Sequence, residues 1–393
     1  MREGWEYKKL GEVCCPKNKI QRAARCFDSS DKILYIDISS IDNTMQKVTD
    51  ITSVTFGDAP SRAQQKIEYG DIVVSTVRPN LKNIAIIDRY EPNIVASSGF
   101  CVLRNTECIE RNYLFHYVTS DIFTQHLMKI TTGANYPAVR DQDVRDSIIP
   151  LPPKSTQLAI VSELDKIKEL IRLKKEQLKD FDNLAQSIFY EMFGDPVEND
   201  KGWEVMKLKE IVSDDCSISY GIVQPGDGVE NGVPVVRPVD MTETFISRQG
   251  LKNTTKEISD SYKRTILKGD EILMCVRGTT GLVAMASPEL KGCNVTRGIT
   301  PIECGPSCNK WFIYYQISNP SIQQHIAEYT RGITLKQINM KDVREIPLCL
   351  PPLPLQHLFA QCIEQIEHQK AEVQKAIIDL ETLLAARMQY WFE

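Results

Sequence analysis

The sequence predicts a mixed α/β (α+β) protein made of two duplicated globules, each followed by one long helix. Three observations lead there: the chain repeats itself, apolar residues recur at helical spacing after each repeat, and short β-branched runs fill the rest. The repeat is the primary signal. WEYKKLGEV at 5–13 returns as WEVMKLKEI at 203–211, and GDIVVSTVRPN at 70–80 returns as GDEILMCVRGT at 269–279, a separation of 199. In that register Gly133 meets Gly332, and DQDVRDSIIPLPP at 141–153 meets NMKDVREIPLCLPP at 339–352.

Taken in order, residues 1–153 form the first globule. Lys32–Ser39, Asp71–Val77 and Ile84–Asp88 read as strands, and 111–130 reads as one helix. After Pro152-Pro153 the rhythm changes. Leu164, Ile167, Ile171, Leu178, Phe181, Ala185, Ile188 and Met192 advance in steps of three and four, with Lys174 as the polar interruption, which predicts a helix over 154–193 with a coiled-coil seam. Gly194 suits a left-handed helix end, and Asp195-Pro196 stops continuation, so 194–202 is a linker. Residues 203–352 form the second globule. The second helix, 353–393, repeats the stripe through Ile363, Ile366, Val373, Ile377, Leu380 and Leu384, with Lys370 interrupting.

Composition narrows the function. Charged residues are 25% and hydrophobic ones 42%, ordinary for a soluble chain. No apolar run reaches the roughly 20 residues that span a bilayer, and the opening Met-Arg-Glu-Gly-Trp is no signal peptide, so the expected location is cytoplasmic. The 12 cysteines show no CxxC pairs or nearby histidines, which predicts reduced thiols and no metal site. P-loop, GxSxG and HExxH patterns are absent, and PGDGVENG at 225–232 lacks GxGxxG spacing and reads as a loop between strands. No catalytic residues are assigned. Charge is balanced, with 19 basic and 19 acidic residues in 1–153 and 18 and 20 in 194–352. Any nucleic-acid contact must therefore come from local clusters of cations or from partner subunits.

The Trp-Glu opening, the two Gly-Asp strand motifs, the paired IPLPP-like approaches to long helices and the central MFGDPVENDKGW resemble specificity subunits of type I restriction-modification systems over essentially the whole chain. One departure is visible: the Glu-Gln pair common after the Pro-Pro is reduced to Gln157 and Gln356. The resemblance implies a non-catalytic reader of double-stranded DNA. Each globule would be a target recognition domain for half of a bipartite, asymmetric site, and the two long helices would pair antiparallel as a spacer with pseudo-twofold symmetry. It also implies two methyltransferase subunits, which hold S-adenosylmethionine, and usually a restriction subunit with motor and nuclease activity. The cofactor would belong to the partner and none to this chain. Helices of 35–40 residues rise roughly 52–60 Å, enough to reach across one or two turns of DNA. From periodicity alone, a coiled-coil scaffold that binds no DNA is the alternative.

Candidate DNA-binding residues sit in loops and at strand ends, where a scaffold can aim them at bases. TTGANYPAVRDQD at 131–143 offers Asn135, Tyr136 and Arg140; TRGITLKQINMKD at 330–342 offers Arg331, Thr334, Lys336 and Gln337. Arg78 and Arg277 recur after the repeated strand, so the shared role of bracing the turn against Asp71 and Asp270, or touching phosphate, is favoured over base reading. Specificity is expected where the halves differ, at Asn80 and Thr279, with Lys82, Gln224, Arg237, Thr280 and Arg297 as further candidates. Leu170, Leu173, Leu184, Phe189, Leu383 and Tyr390 lie off the helical seam and are expected to face partner subunits.

Overall fold

The computed structural model describes residue 2 and residues 4–133, 136–332 and 336–393. The chain divides into two compact units, Met1–Lys175 with Lys375–Glu393, and Glu176–Gln374. Each unit holds one globule and a portion of both long helices.

In the first unit the repeated opening and the Pro-rich approach are partners in one ribbon. Glu6–Lys9 pairs antiparallel with Ile148–Leu151, which delivers the chain to the helix Lys154–Phe193. Beside it a three-stranded sheet places Ile72–Ser75 between Phe100–Leu103 and Ile84–Ile86. Ile72 and Val74 face the helices, whereas Val73 faces a second core with Ile36, Ile94 and Ala96 from a four-stranded sheet. That sheet orders Thr52–Thr55, Lys32–Ile36, Ile94–Ser97 and Ala63–Lys66. Period-two alternation thus lets one strand serve two cores.

The stretch expected as one helix over 111–130 is two, Arg111–Thr119 and Asp121–Ile130. The extended Ser120 breaks it, its hydroxyl accepting from the Phe123 N–H at 3.2 Å as an N-cap. Buried His116 on the first of these helices donates from Nε2 to Asp165 on the long helix at 2.7 Å. Burial pushes the imidazole below its ordinary pKa against the pull of that carboxylate. Its Nδ1, the acceptor nitrogen of the neutral ring, is buried without a partner among the described residues.

The second unit repeats the plan. Glu204–Lys207 pairs with Pro347–Leu350, which leads into the helix Leu353–Phe392, and Ile272–Cys275 lies between Val283–Met285 and Ile299–Ile302. The 225–232 stretch is a loop that enters the strand Val233–Val236.

Within each unit the two helical portions run antiparallel. In the first, Glu163 pairs with Arg387 and Lys175 with Glu381 at 2.7 Å. In the second, Asp182 pairs with Lys370 at 2.8 Å while Phe189 packs on Phe359 further along. Burial alone would lower the Lys370 pKa, but Asp182 and Glu367 outweigh it and hold the ammonium above its usual range. The polar interruption of the stripe is therefore an ion-paired position. Both helix starts are held by the glutamine that survives from the expected pair. Gln157 is buried, accepts from the Glu110 N–H and donates to Cys108 O and Pro152 O; Gln356 does the same with Asn309, Ser307 and Pro351. The missing glutamate leaves this contact intact.

Leu170, Leu173, Leu184, Leu383 and Tyr390 are exposed on the helices. Phe189 is not: at 2% exposure it packs on Phe193, Phe312 and Phe359, so its expected place on a partner-facing surface is overturned. The globule of its own unit covers that side of the helix. Gly194 ends the first helix at φ +75°, where a Cβ would lie 2.0 Å from the Asp200 carboxylate. All twelve cysteines are free, and among the described residues no helix is long and apolar enough to cross a membrane.

Candidate nucleic-acid interface

In the first unit the central strand Ile72–Ser75 runs out into a corner at 76–82, and residues 137–139 lie back against that corner. The Arg78 N–H donates to Pro137 O at 2.7 Å, the Val139 N–H donates to Thr76 O at 2.9 Å, and Val77 is bridged to Ala138. Thr132 and Ala138 exchange both backbone hydrogen bonds, which ties the two ends of the segment 132–138 together. Gly133 begins it at φ +93°, where a Cβ would stand 2.8 Å from Tyr136 O.

The second unit builds the same device with different side chains. The Gly278 N–H donates to Lys336 O at 2.9 Å, the Ile338 N–H donates to Val276 O at 3.0 Å, and Arg277 is bridged to Gln337, which also bridges Arg331. Gly332 repeats the left-handed turn at φ +99°.

These bonds correct the register of the repeat. Ala138 corresponds to Gln337, so Val77 is answered by Arg277 and Arg78 by Gly278, 200 positions on instead of 199. The strand agrees: Ile72 and Val74 face the helices in the first unit, and Ile272 and Met274 do so in the second. A one-residue slip turns each side chain to the opposite face of a strand. The arginine common to both halves in the aligned sequence is thus not common to both structures, and the shared bracing role expected for it falls.

Nor do the expected pairs form. Asp71 is 1% exposed and receives Arg104 at 2.7 and 2.8 Å, while Asp270 receives Lys310. Asp71 also accepts the Glu68 N–H, a role that Glu271 takes in the second unit through the N–H groups of Lys268, Gly269 and Asp270. Arg104 braces the first turn. Two further arginines missing from the expected set hold loops in place: Arg145 donates to Cys15 O and Val102 O, and Arg344 to Ser217 O and Ile218 O. Their signal was present in the repeated DVRD and DVRE.

The remaining candidates separate by what holds them. Lys82 is committed to Asp121 at 2.6 Å and Thr119 O at 3.2 Å. Arg140 and Arg237 are each clamped on the carboxylate three residues on, Asp143 and Asp240, whose hydrogen bonds raise both guanidinium pKa values. Thr280 shares a hydroxyl contact with Thr330 at 3.1 Å, and Gln337 is half-buried in its bridge. Arg277 is half-buried, and its Nε has no hydrogen-bond partner among the described residues. Asn80, Gln224, Thr279, Arg297, Arg331 and Lys336 are exposed. Arg78 is exposed too, with its guanidinium 4.7 Å over the ring of Tyr136, itself 67% exposed. Asn135 and Thr334 lie outside the described residues.

Among the described residues no carboxylate pairs with Arg78, Arg277, Arg297, Arg331 or Lys336. The first corner therefore presents one free cation among the described residues, Arg78, beside amide and aromatic groups, and the second several beside amide and hydroxyl groups, sets that can meet phosphates by charge and base edges by hydrogen bonding. No group of three or more His, Cys, Asp or Glu that could hold a metal ion occurs among the described residues.

Comparison with known proteins fits this duplicated plan. A family model described as type I restriction modification DNA specificity domain matches residues 2–180 and again 200–382. The EcoBI specificity subunit of a type I restriction enzyme from Escherichia coli is 21% identical over 63% of this chain; the match spans 57% of that subunit's length. A putative MjaX specificity subunit from Methanocaldococcus jannaschii is 22% identical over 95% of this chain and 91% of its own. A solved chain, described under the structural basis of complex assembly and conformational transition of the type I R-M system, is 28% identical, covers 100% of this chain and 98% of its own, and superposes with a TM-score of 0.65.

Proposed function

Because the chain belongs to the family of type I restriction-modification DNA specificity domains and carries that domain twice, we propose that it is the specificity subunit of a type I restriction-modification complex. Each unit reads one part of a bipartite, asymmetric site in double-stranded DNA. The observation that carries this reading is the corner built twice from the same backbone hydrogen bonds, with different side chains mounted on it. Identical scaffolds with divergent tips are what two different half-sites require.

The reading residues are drawn from Arg78, Asn80, Asn135 and Tyr136 in the first unit. In the second they are drawn from Gln224, Arg277, Thr279, Thr280, Arg297, Arg331, Thr334, Lys336 and Gln337. Lys82, Arg140 and Arg237 act mainly by holding their loops. The exposed Leu170, Leu173, Leu184, Leu383 and Tyr390 meet two methyltransferase subunits, which carry S-adenosylmethionine and perform the chemistry, and a restriction subunit joins that assembly. This chain is non-catalytic and works in the cytoplasm, where the DNA is.

The test is to express the chain with its methyltransferase partner in a host lacking other modification and to map methylated adenines. A split motif with two unlike halves is expected, absent when this chain is omitted. Methylation that does not depend on the chain, or a complex that retards no duplex, would mark a scaffold and sink the proposal.

A further inference from the structure

The corner of the first unit contains two non-glycine residues in the left-handed region, Arg78 at φ +49° and Lys82 at φ +51°. Both are answered by glycine: Arg78 by Gly278 at φ +88°, 200 positions on, and Lys82, past the one-residue difference in the corner, by Gly281 at φ +89°, as the matching bonds Ser75 N–H to Asn83 O and Cys275 N–H to Leu282 O show. The backbone path therefore suits glycine at both positions, and a side chain there carries conformational strain. For Lys82 the structure supplies the compensation, since its ammonium ties the junction of two helices through Asp121 and Thr119 O. For Arg78 no such compensation exists among the described residues. Its guanidinium makes no ion pair or side-chain hydrogen bond there and lies over the face of Tyr136.

Strain held without a structural partner points to an external one. Three features say which. The bridge Val77–Ala138 and the bond from the Arg78 N–H to Pro137 O fix Arg78 and Tyr136 on one short scaffold, so their relative placement is set before any ligand arrives. The ring lies 4.7 Å from the guanidinium carbon and restrains it, and with no ion pair or side-chain hydrogen bond among the described residues its N–H groups are left for a flat acceptor pair, which suits them better than a diffuse charge. A contact to the phosphate backbone would serve both half-sites alike, yet the second unit has glycine here, where an added Cβ would meet nothing within 4 Å.

We propose that Arg78, held over the ring of Tyr136, reads a guanine in the half-site of the first unit by a two-pronged hydrogen bond to O6 and N7. The second unit lacks that contact. This rests on the functional reading above and names the base class it implies for one residue.

The experiment compares the complex of this chain and its methyltransferase partner carrying wild-type, Arg78→Gly, Arg78→Lys or Tyr136→Ala, by selection from a library of random duplexes and by mapping methylated adenines. Arg78→Gly installs the residue the second unit already uses, so its melting temperature should match or exceed that of wild type. The wild-type motif should contain a guanine in one half. Arg78→Gly and Arg78→Lys should both lose the preference at that one position by about 5–150-fold, the worth of a bidentate base contact, with the other half unchanged. Tyr136→Ala should weaken the same position. If Arg78→Lys behaves as wild type while Arg78→Gly weakens all sequences equally, Arg78 is a phosphate contact and the assignment is overturned. A defined wild-type motif left unchanged by Arg78→Gly overturns the assignment alone. A wild-type complex with no defined motif overturns the functional reading and this assignment with it.

Discussion

At the scale of residues, the two turns entering the central strands show how one requirement is met by different chemistry. Both turns leave backbone N–H groups pointing inward, and a buried carboxylate must take them. In the first unit Asp71 accepts one and spends its remaining lone pairs on Arg104, which also reaches Glu68 at 3.1 Å. In the second, the longer Glu271 accepts three and needs no arginine. Removing the acceptor orphans donors in a dry site and, in the first unit, strips a half-buried guanidinium of its main partner. Asp71→Ala should cost about 2–3 kcal/mol, the lower side of the range because Arg104 keeps Glu68 and some water. Hydrogen exchange of the Ile72–Ser75 amides reads this directly. Arg78→Ala should leave the same amides as protected as in wild type, and faster exchange in that variant would restore the bracing role for Arg78.

At the scale of elements, the long helices were legible from the sequence because steps of three and four need no tertiary knowledge. Leu164, Ile167, Ile171, Ala185, Ile363, Ile366, Val373 and Ile377 are all buried as the stripe requires. Phe189 was misjudged because a helix that packs on both a partner helix and its own globule buries more than one stripe, and nothing in the spacing says where the globule touches. The strand register failed for a different reason. Matching Val77-Arg78 to Val276-Arg277 scores well in letters, but the core that each buried side chain faces alternates with period two, and aligning IVVS with ILMC restores that alternation. The compensating residue lies in the corner, where length is not constrained by packing. These distinctions predict different outcomes on one element. Leu170→Glu with Leu173→Glu, at 48% and 45% exposure, should leave the melting temperature within a degree or two and weaken co-purification of the methyltransferase subunit. Phe189→Ala should instead destabilise the second unit by about 3–5 kcal/mol. Normal co-purification of the double leucine variant would remove the helices from the partner surface.

At the scale of the whole molecule, a net charge of −5 argues against binding DNA as a uniformly basic body. Among the described residues, cations without a carboxylate partner include Arg78 at the first corner and Arg277, Arg331 and Lys336 at the second, and the backbone hydrogen bonds that shape each corner stay within its own unit. Specificity should therefore be modular. The segments 131–139 and 330–338 have the same length, start from left-handed glycines and are pinned by equivalent bonds to Thr76 and Val276. Replacing TTGANYPAV at 131–139 with TRGITLKQI, the sequence of 330–338, keeps the Gly133 turn and the acceptor at position 137, while Tyr136 is lost and two cationic residues enter. The complex carrying this exchange should still methylate a split site. One half of its motif should change and the other should remain, because no bond of the second corner is touched. Adenine methylation mapping would show this as a single altered half. Loss of both halves together would mean that the corners do not act independently, and an unchanged motif would place the reading residues outside these loops.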